Sequence, residues 1–407
     1  MLTIAIIGGG ASGMAAAIAA KRQNPNASVM IFEHKDIPGK KILSTGNGRC
    51  NLTNEYMDPS CFRSDTPENI PPVLERFSAN DTIQFFQELG ILTKSRNGYI
   101  YPRSDQASAV LSVLRTELKK IGVEVILNTH VKEIGRNKKG FRIFTDDKNY
   151  LADKIILTTG SKASKVLGSD GSGYTMAKNF GHRLVPVVPA LVQLKVFDFK
   201  FAKASGVRCD ACVKALVNNR EVSSDTGELQ ITAYGISGIP VFQISRFIAR
   251  ALYEKKKASV IVDFMPQMTE AELLNYFIKR KQTLKHVDAE SFLVGIFNQK
   301  LIPILLGLSG IRSNTKTDTF SKEQLEKLTY QCKHTELFIS DTNGFDNAQI
   351  CAGGISLNEI NINTMESCYE KGLYLAGEIL DADGICGGYN LQWAWATGII
   401  AGESAAR

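Results

Sequence analysis

Apolar residues recur along this chain with two different periods. Residues 2–7 form a short isoleucine-rich run, the pattern of a buried strand. Gly8, Gly9 and Gly10 follow it, and residues 11–21 read as an alanine-rich helix. A turn at 24–26 leads to a second apolar run at 28–32, so the start of the chain predicts one βαβ unit. Helices are predicted over 73–89, with Pro71 and Pro72 suited to a helix start, over 106–121 and around 174–180. Strands are predicted at 98–102, 123–127, 131–134, 141–144 and 154–158. After His182 the texture changes, and Pro186 and Pro189 mark a boundary. Residues 191–262 read mostly as strands and turns, with one helix near 240–253. Residues 269–308 read as amphipathic helix, 309–325 as a loop with a further short helix, and 336–339 as strand. From Ala348 the βα texture returns, with a strand at 372–376 and a helix at 391–401.

This order predicts an α/β chain whose nucleotide-binding domain is built from both ends of the sequence. Its first part spans 1–188 and its second 348–407. The insertion at 189–347 is expected to be β-rich at 189–265 and 315–347 and helical at 266–314. The chain has 407 residues, enough for two or three domains, and 44% of them are hydrophobic, the balance of a globular protein. The net charge of +7 is small for this length and lies in no single basic stripe, so no nucleic-acid partner is expected. No apolar stretch is long enough to span a bilayer, and no basic segment precedes the first apolar run as in a signal peptide. Eight scattered cysteines fit reduced thiols in a cytoplasm. Cys209 and Cys212 make a C-x-x-C, but on a strand residues three apart face opposite sides, against a redox or metal pair. No metal is expected.

The chemistry-bearing motifs sit in the two outer segments. Gly8, Gly10 and Gly13 form a G-x-G-x-x-G between a strand and a helix. Gly8 permits the tight turn, Gly10 lets a pyrophosphate approach, and Gly13 lets helix and strand pack closely. The amides of Ala11 and Ser12 lie at the positive end of that helix. Glu33 falls 20 residues after Gly13, the spacing for a carboxylate on ribose hydroxyls, and an acid there disfavours NADP at this site. The next loop offers Lys40 and Lys41 as positive charge, and Gly46, Asn47 and Gly48 for unusual backbone angles and hydrogen bonds. Near the far end a strand closes on Gly377 and Glu378, a glycine-rich loop follows, and a helix opens near Asn390 and Leu391. That helix start can stabilise negative charge on a reduced flavin. Trp393 and Trp395, two apart on a helix, share no face and read as packing. The segment GSDGSGYTMAKNFG at 168–181 reads as a turn and helix over the flavin, and no strand leads into it as a second nucleotide site requires.

These blocks carry a resemblance. The chain is similar to the aminoacetone-oxidase-like FAD-binding flavoproteins, a family that also contains BaiN-type bile-acid enone reductases. The likeness rests on GKKILSTGNGRCNLTN at 39–54, YPRSDQA at 101–107, YGISGIP at 234–240, AGGIS at 352–356, and GLYLAGEILD with GGYNLQWAWATG at 372–381 and 387–398. It implies an FAD-binding Rossmann-type domain interrupted by a β-barrel-like sheet and a small helical bundle. It also implies FAD contacts at Ser12, Glu33, Lys41, Asn47, Val131, Glu378 and Leu391. Gly160, at the end of a strand, joins the expected cofactor set. The chain departs from the family pattern at Ile239, Ala233 and Cys386, which leaves the substrate open.

The expected activity is hydride transfer at flavin N5 to or from a small organic substrate lying between the flavin ring and the insertion. Two enzymes compete: an enone reductase with NAD(P)H as transient donor, and an O2-using amine oxidase of the aminoacetone type. A third reading is a low-turnover flavoprotein with an RNA-associated role. No catalytic acid or base is identified. Tyr101, Arg103 and Tyr234 are candidates that packing explains equally well, and His182 reads as structural.

Overall fold

The computed structural model describes residues 1–138 and 140–407, which divide into two compact units: Met1–Val187 with Ile350–Arg407, and Val188–Gln349. In the first unit, β1 (Thr3–Ile7) leads through the glycine turn into α1 (Ala11–Gln23), and β2 (Ser28–Phe32) returns parallel to β1 in the register Ile7 to Phe32. The run predicted as one helix over 73–89 is two, α2 (Pro71–Arg76) and α3 (Ala79–Glu88). The apolar period passes through the junction, but Ser78 starts a new helix there. Its hydroxyl accepts from the Asp81 amide, and the Asp81 carboxylate accepts from the Ser78 amide. Then come α4 (Ala107–Lys120), β3 (Glu124–Ile126), a three-stranded antiparallel sheet beginning at Val131, β4 (Lys154–Leu157) and α5 (Ser172–Asn179).

The second unit holds a closed six-stranded barrel. In chain order its strands are β5 (Leu194–Val196), β6 (Arg208–Val217), β7 (Arg220–Ile231), β8 (Gly235–Ser237), β9 (Ala258–Asp263) and β10 (Thr335–Thr342). Alternate residues point inward, among them Ala211, Val213, Ala215, Val260, Val262, Leu337 and Ile339. Closure needs a glycine where β8 meets β5, because a Cβ on Gly235 would lie 2.0 Å from the Leu194 carbonyl oxygen. Helix α6 (Ile239–Tyr253) lays Val241, Ile244 and Ile248 on the barrel. The predicted helical block is three helices, α7 (Glu270–Thr283), α8 (Ala289–Leu293) and α9 (Ile302–Leu308), around the buried rings of Phe277, Phe292 and Phe320. The segment 315–347, expected as β-rich, also contains α10 (Lys322–Lys333), which buries Leu325, Leu328 and Cys332 on one face.

The last segment completes the first unit. Strands β11 (Ile360–Asn361), β12 (Glu366–Ser367) and β13 (Leu373–Leu375) extend a seven-stranded sheet in the order β11-β12-β13-β4-β1-β2-β3. Helix α11 (Tyr389–Ala405) is apolar on all sides and almost wholly buried. It packs along α1 at backbone distance. A Cβ on Gly398 would meet the Ser12 carbonyl oxygen at 2.4 Å, and one on Gly402 would meet that of Ala16 at 2.2 Å.

Candidate nucleotide-binding site

The site forms where the carboxyl ends of β1, β4 and β13 stand side by side, the place where open α/β sheets bind ligands. Gly8 has φ +106°, and a Cβ there would press on the Thr158 carbonyl oxygen at 2.5 Å. At Gly13 a Cβ would lie 2.0 Å from the Gly8 carbonyl oxygen, so α1 can start this close to β1 only with glycine there. Gly10 has open space where its Cβ would be, and no side chain caps α1. The first-turn amides, including those of Ala11 and Ser12, therefore face an unobstructed approach.

Glu33 is buried, and its carboxylate is fixed by backbone donors: the Gly9 amide to Oε2 at 3.0 Å and the Lys35 amide to Oε1 at 2.9 Å. The Thr129 amide donates to the Glu33 carbonyl, which brings Val131, at the head of its strand, to the same edge. Besides the α1–α11 packing, two contacts between the N- and C-terminal segments lie at this site. Lys41 Nζ lies 2.8 Å from Glu378 Oε2, which also accepts from Ser161 Oγ at 3.3 Å. A Cβ on Gly377, which has φ +81°, would reach Ser12 Oγ at 2.5 Å. Gly46, Asn47 and Gly48 are three consecutive left-handed residues, with φ of +55°, +55° and +81°. Gly160, with φ +73°, follows β4 beside Ser169 and 3.9 Å, as a built Cβ, from Glu378 Oε2.

Two expected residues have other partners. Lys40 pairs with Asp36 at 2.8 Å on the surface and holds that carboxyl below its ordinary range. Asn390 spends its amide on the glycine-rich loop: Oδ1 accepts from the Gly384 amide at 2.8 Å and Nδ2 donates to the Gly384 carbonyl at 2.9 Å. Leu391, next to it, is half-buried. Sequence reasoning missed Thr158, whose hydroxyl donates to the Gly8 carbonyl at 2.7 Å, and Thr397, whose hydroxyl accepts from the Gly377 amide at 2.9 Å. The Thr-Thr-Gly at the end of β4 was the readable signal for the first.

The remaining candidates have protein neighbours. Trp395 Nε1 donates to the Leu52 carbonyl at 3.1 Å and its ring meets Phe86 edge-on, while Trp393 lies against Phe62. His182 is enclosed by Glu359 and Ser367, and burial pulls it below the ordinary histidine range. Burial pushes the Cys50 thiol up to about 12, so it is a poor nucleophile. Cys209 and Cys212 lie unbonded on β6. The Tyr234 hydroxyl accepts from Asn343 Nδ2 within the barrel unit, and Tyr101 carries the Arg49 guanidinium over its ring.

Together these features fit FAD. The open amide turn suits a diphosphate, the backbone-held Glu33 suits a ribose diol, and the Lys41–Glu378 pair offers a donor and an acceptor farther along. No helix among the described residues is long and apolar enough to cross a membrane.

The chain has relatives among known proteins. Residues 2–404 match the family described as the HI0933-like protein Rossmann domain. A 3-dehydro-bile acid delta(4,6)-reductase from Clostridium scindens is 55% identical over 406 residues, covering 100% of this chain and 99% of that protein. A ribosomal RNA dihydrouridine synthase from Haemophilus influenzae is 30% identical, covering 99% of this chain and 98% of its own. Among solved structures, a 3-ketosteroid delta1-dehydrogenase from Sterolibacterium denitrificans superposes over 100% of both chains with a TM-score of 0.52 at 13% identity, a likeness of fold.

Proposed function

The chain belongs to the HI0933-like Rossmann family and is an FAD-dependent oxidoreductase acting on a small organic substrate, and we propose that it reduces a conjugated carbon–carbon double bond next to a ketone in a steroid-like molecule. The observation that carries this reading is the 55% identity to the bile-acid reductase along the whole chain. When bound, FAD supplies a hydride at N5 for the β-carbon of such an enone.

The protein's own part is binding and orientation. The amides at the start of α1 would hold the diphosphate, and Glu33 the adenosine ribose. A phosphate on that ribose would meet the Glu33 charge, so NADP is excluded from this position. Lys41 and Glu378 would hold the chain leading to the flavin. NADH or NADPH is the proposed transient donor. Among the described residues no disulfide joins any of the eight cysteines, which supports a reducing compartment such as the cytoplasm.

A second reading is favoured by the relative named as a ribosomal RNA dihydrouridine synthase. Saturating the uracil ring is also reduction of a double bond conjugated to a carbonyl, so one site chemistry serves both substrates.

The test is anaerobic. Purified holoenzyme is reduced with NADH or NADPH and mixed with a 3-oxo-4,6-diene bile acid or with unmodified ribosomal RNA, and in a separate arm the oxidised holoenzyme is given aminoacetone before O2 is admitted. Rapid reappearance of oxidised flavin colour with the dienone, and formation of the saturated product, is the expected result. Turnover with RNA alone would move the assignment to the second reading, and turnover with amine and O2 alone would make the protein an oxidase.

A further inference from the structure

A small antiparallel sheet of the first unit carries an exposed face of rings and cations. Its central strand, Tyr99–Pro102, pairs with Thr93–Arg96 on one side and with Thr53–Asn54 on the other. Side chains alternate along a strand, and direct cross-strand partners share a face. The register sets Arg96 opposite Tyr99 and Lys94 opposite Tyr101, so these four stand on one face, while the buried Ile100 points the other way.

Distances tie this face to both glycine-rich loops expected to hold the cofactor. Tyr101 Cε1 lies 3.4 Å from where a Cβ on Gly46 would stand. Arg49 donates from Nε to the Gly46 carbonyl at 3.4 Å and holds its guanidinium 5.8 Å over the Tyr101 ring. Tyr99 Cε1 lies 3.1 Å from a Cβ built on Gly387, whose carbonyl accepts from Asn54 Nδ2 at 2.9 Å. A ligand can reach these groups: Tyr99 is 36% exposed, and the Arg96 side chain is 52% exposed.

The charges on the face do not balance. Lys94 pairs with Asp105 Oδ2, and Arg96 Nη2 lies 3.7 Å from the same oxygen. The Asp105 carboxyl is held below its ordinary range, by the Lys94 hydrogen bond first and then by the charges of Lys94, Arg96 and Arg49. Three cations therefore share one carboxylate, with two tyrosine rings beside them.

We infer that the substrate is an anion and that this face takes its charged end: Arg96, supported by Lys94 and Arg49, pairs with a carboxylate, and Tyr99 and Tyr101 lie against the apolar body next to it. A guanidinium matches a carboxylate with two parallel hydrogen bonds, and tyrosine rings cover apolar surface at little entropic cost. A steroid acid has this division, with its carboxylate on a side chain remote from the enone. The inference rests on the enone-reductase reading and deepens it, since it names the charge of the substrate and makes Arg96 a residue that sets specificity.

The experiment uses the FAD-loaded full chain and measures kcat and KM for a 3-oxo-4,6-diene bile acid and for its methyl ester, which keeps the skeleton and removes the charge. The wild type prefers the acid about ten-fold in kcat/KM, through a lower KM. Arg96→Gln raises KM for the acid and brings the preference close to one, and Arg96→Lys restores part of it. Arg22→Gln, in the last turn of α1 and paired with Glu88, keeps the wild-type preference. Equal kcat/KM for acid and ester in the wild type overturns the inference without any variant. A preference unchanged in R96Q overturns it as well. Reduction of neither compound would defeat the enone reading instead, whereas reduction of both with equal efficiency defeats this inference alone.

Discussion

Three helix starts in each unit of this protein make a contrast, to which the Ser78-capped α3 and the uncapped α6 at Gly238 are exceptions. In the barrel unit, α7, α8 and α10 start at Thr269, Asp288 and Ser321, each of whose side chains accepts from a backbone amide of the first turn. In the nucleotide unit, α1, α5 and α11 start at Gly10, Gly171 and Gly388, with no side-chain cap. A capped start is a finished structural end. At Gly10 the approach to the first-turn amides is open, whereas a Cβ on Gly171 would meet Lys162 Cγ and one on Gly388 the Thr53 carbonyl oxygen, each at 2.7 Å. The contrast separates three helix starts closed by their own side chains from three that no side chain closes.

Breaking the contrast at its strongest point means filling the α1–α11 crossing. Gly398→Val would drive a side chain into the Ser12 backbone, which cannot retreat as a flexible side chain can. We expect a loss of more than about 3 kcal/mol, read by chemical denaturation as early unfolding of the nucleotide unit alone. A single denaturation curve shifted as a whole would mean that the units do not unfold separately. Next in size is Glu33→Gln. It keeps the shape but discards the charge that faces the ribose, and the FAD Kd should rise about ten-fold or more while the barrel unit is unaffected. Unchanged FAD affinity would remove Glu33 from the site. The smallest effect is expected from Thr269→Ala, which opens one capped helix start. Stability should fall by about 1 kcal/mol with FAD affinity unchanged, and a change in FAD affinity would contradict the division of roles drawn here.

Much of the nucleotide unit was legible. A continuous apolar run, three glycines and an acid 20 residues on constrain backbone and ligand chemistry together, so β1, α1, β2 and the place of Glu33 could be read directly. The break between α2 and α3 was not, because the apolar period continues across a junction set by the hydrogen bonds of Ser78 and Asp81. Helix α10 was readable and overlooked: Ser321 followed three places later by Gln324 is a helix start, and Leu325, Leu328 and Cys332 repeat at helical spacing. Lys40 and Asn390 show a different limit. Residue type and position offered them to a ligand, but a neighbouring carboxylate and a loop backbone claimed their polar atoms, and such claims depend on the folded path.

The close seating of Gly398 and Gly402 on Ser12 and Ala16 has a consequence for synthesis. Helix α1 emerges from the ribosome early, but the surface that covers it is encoded far downstream, beyond the whole barrel unit. The contiguous barrel segment can therefore fold first, while the nascent glycine turn and its helix wait exposed. A complete cradle exists only after α11 arrives, so cofactor loading has to wait for both outer segments.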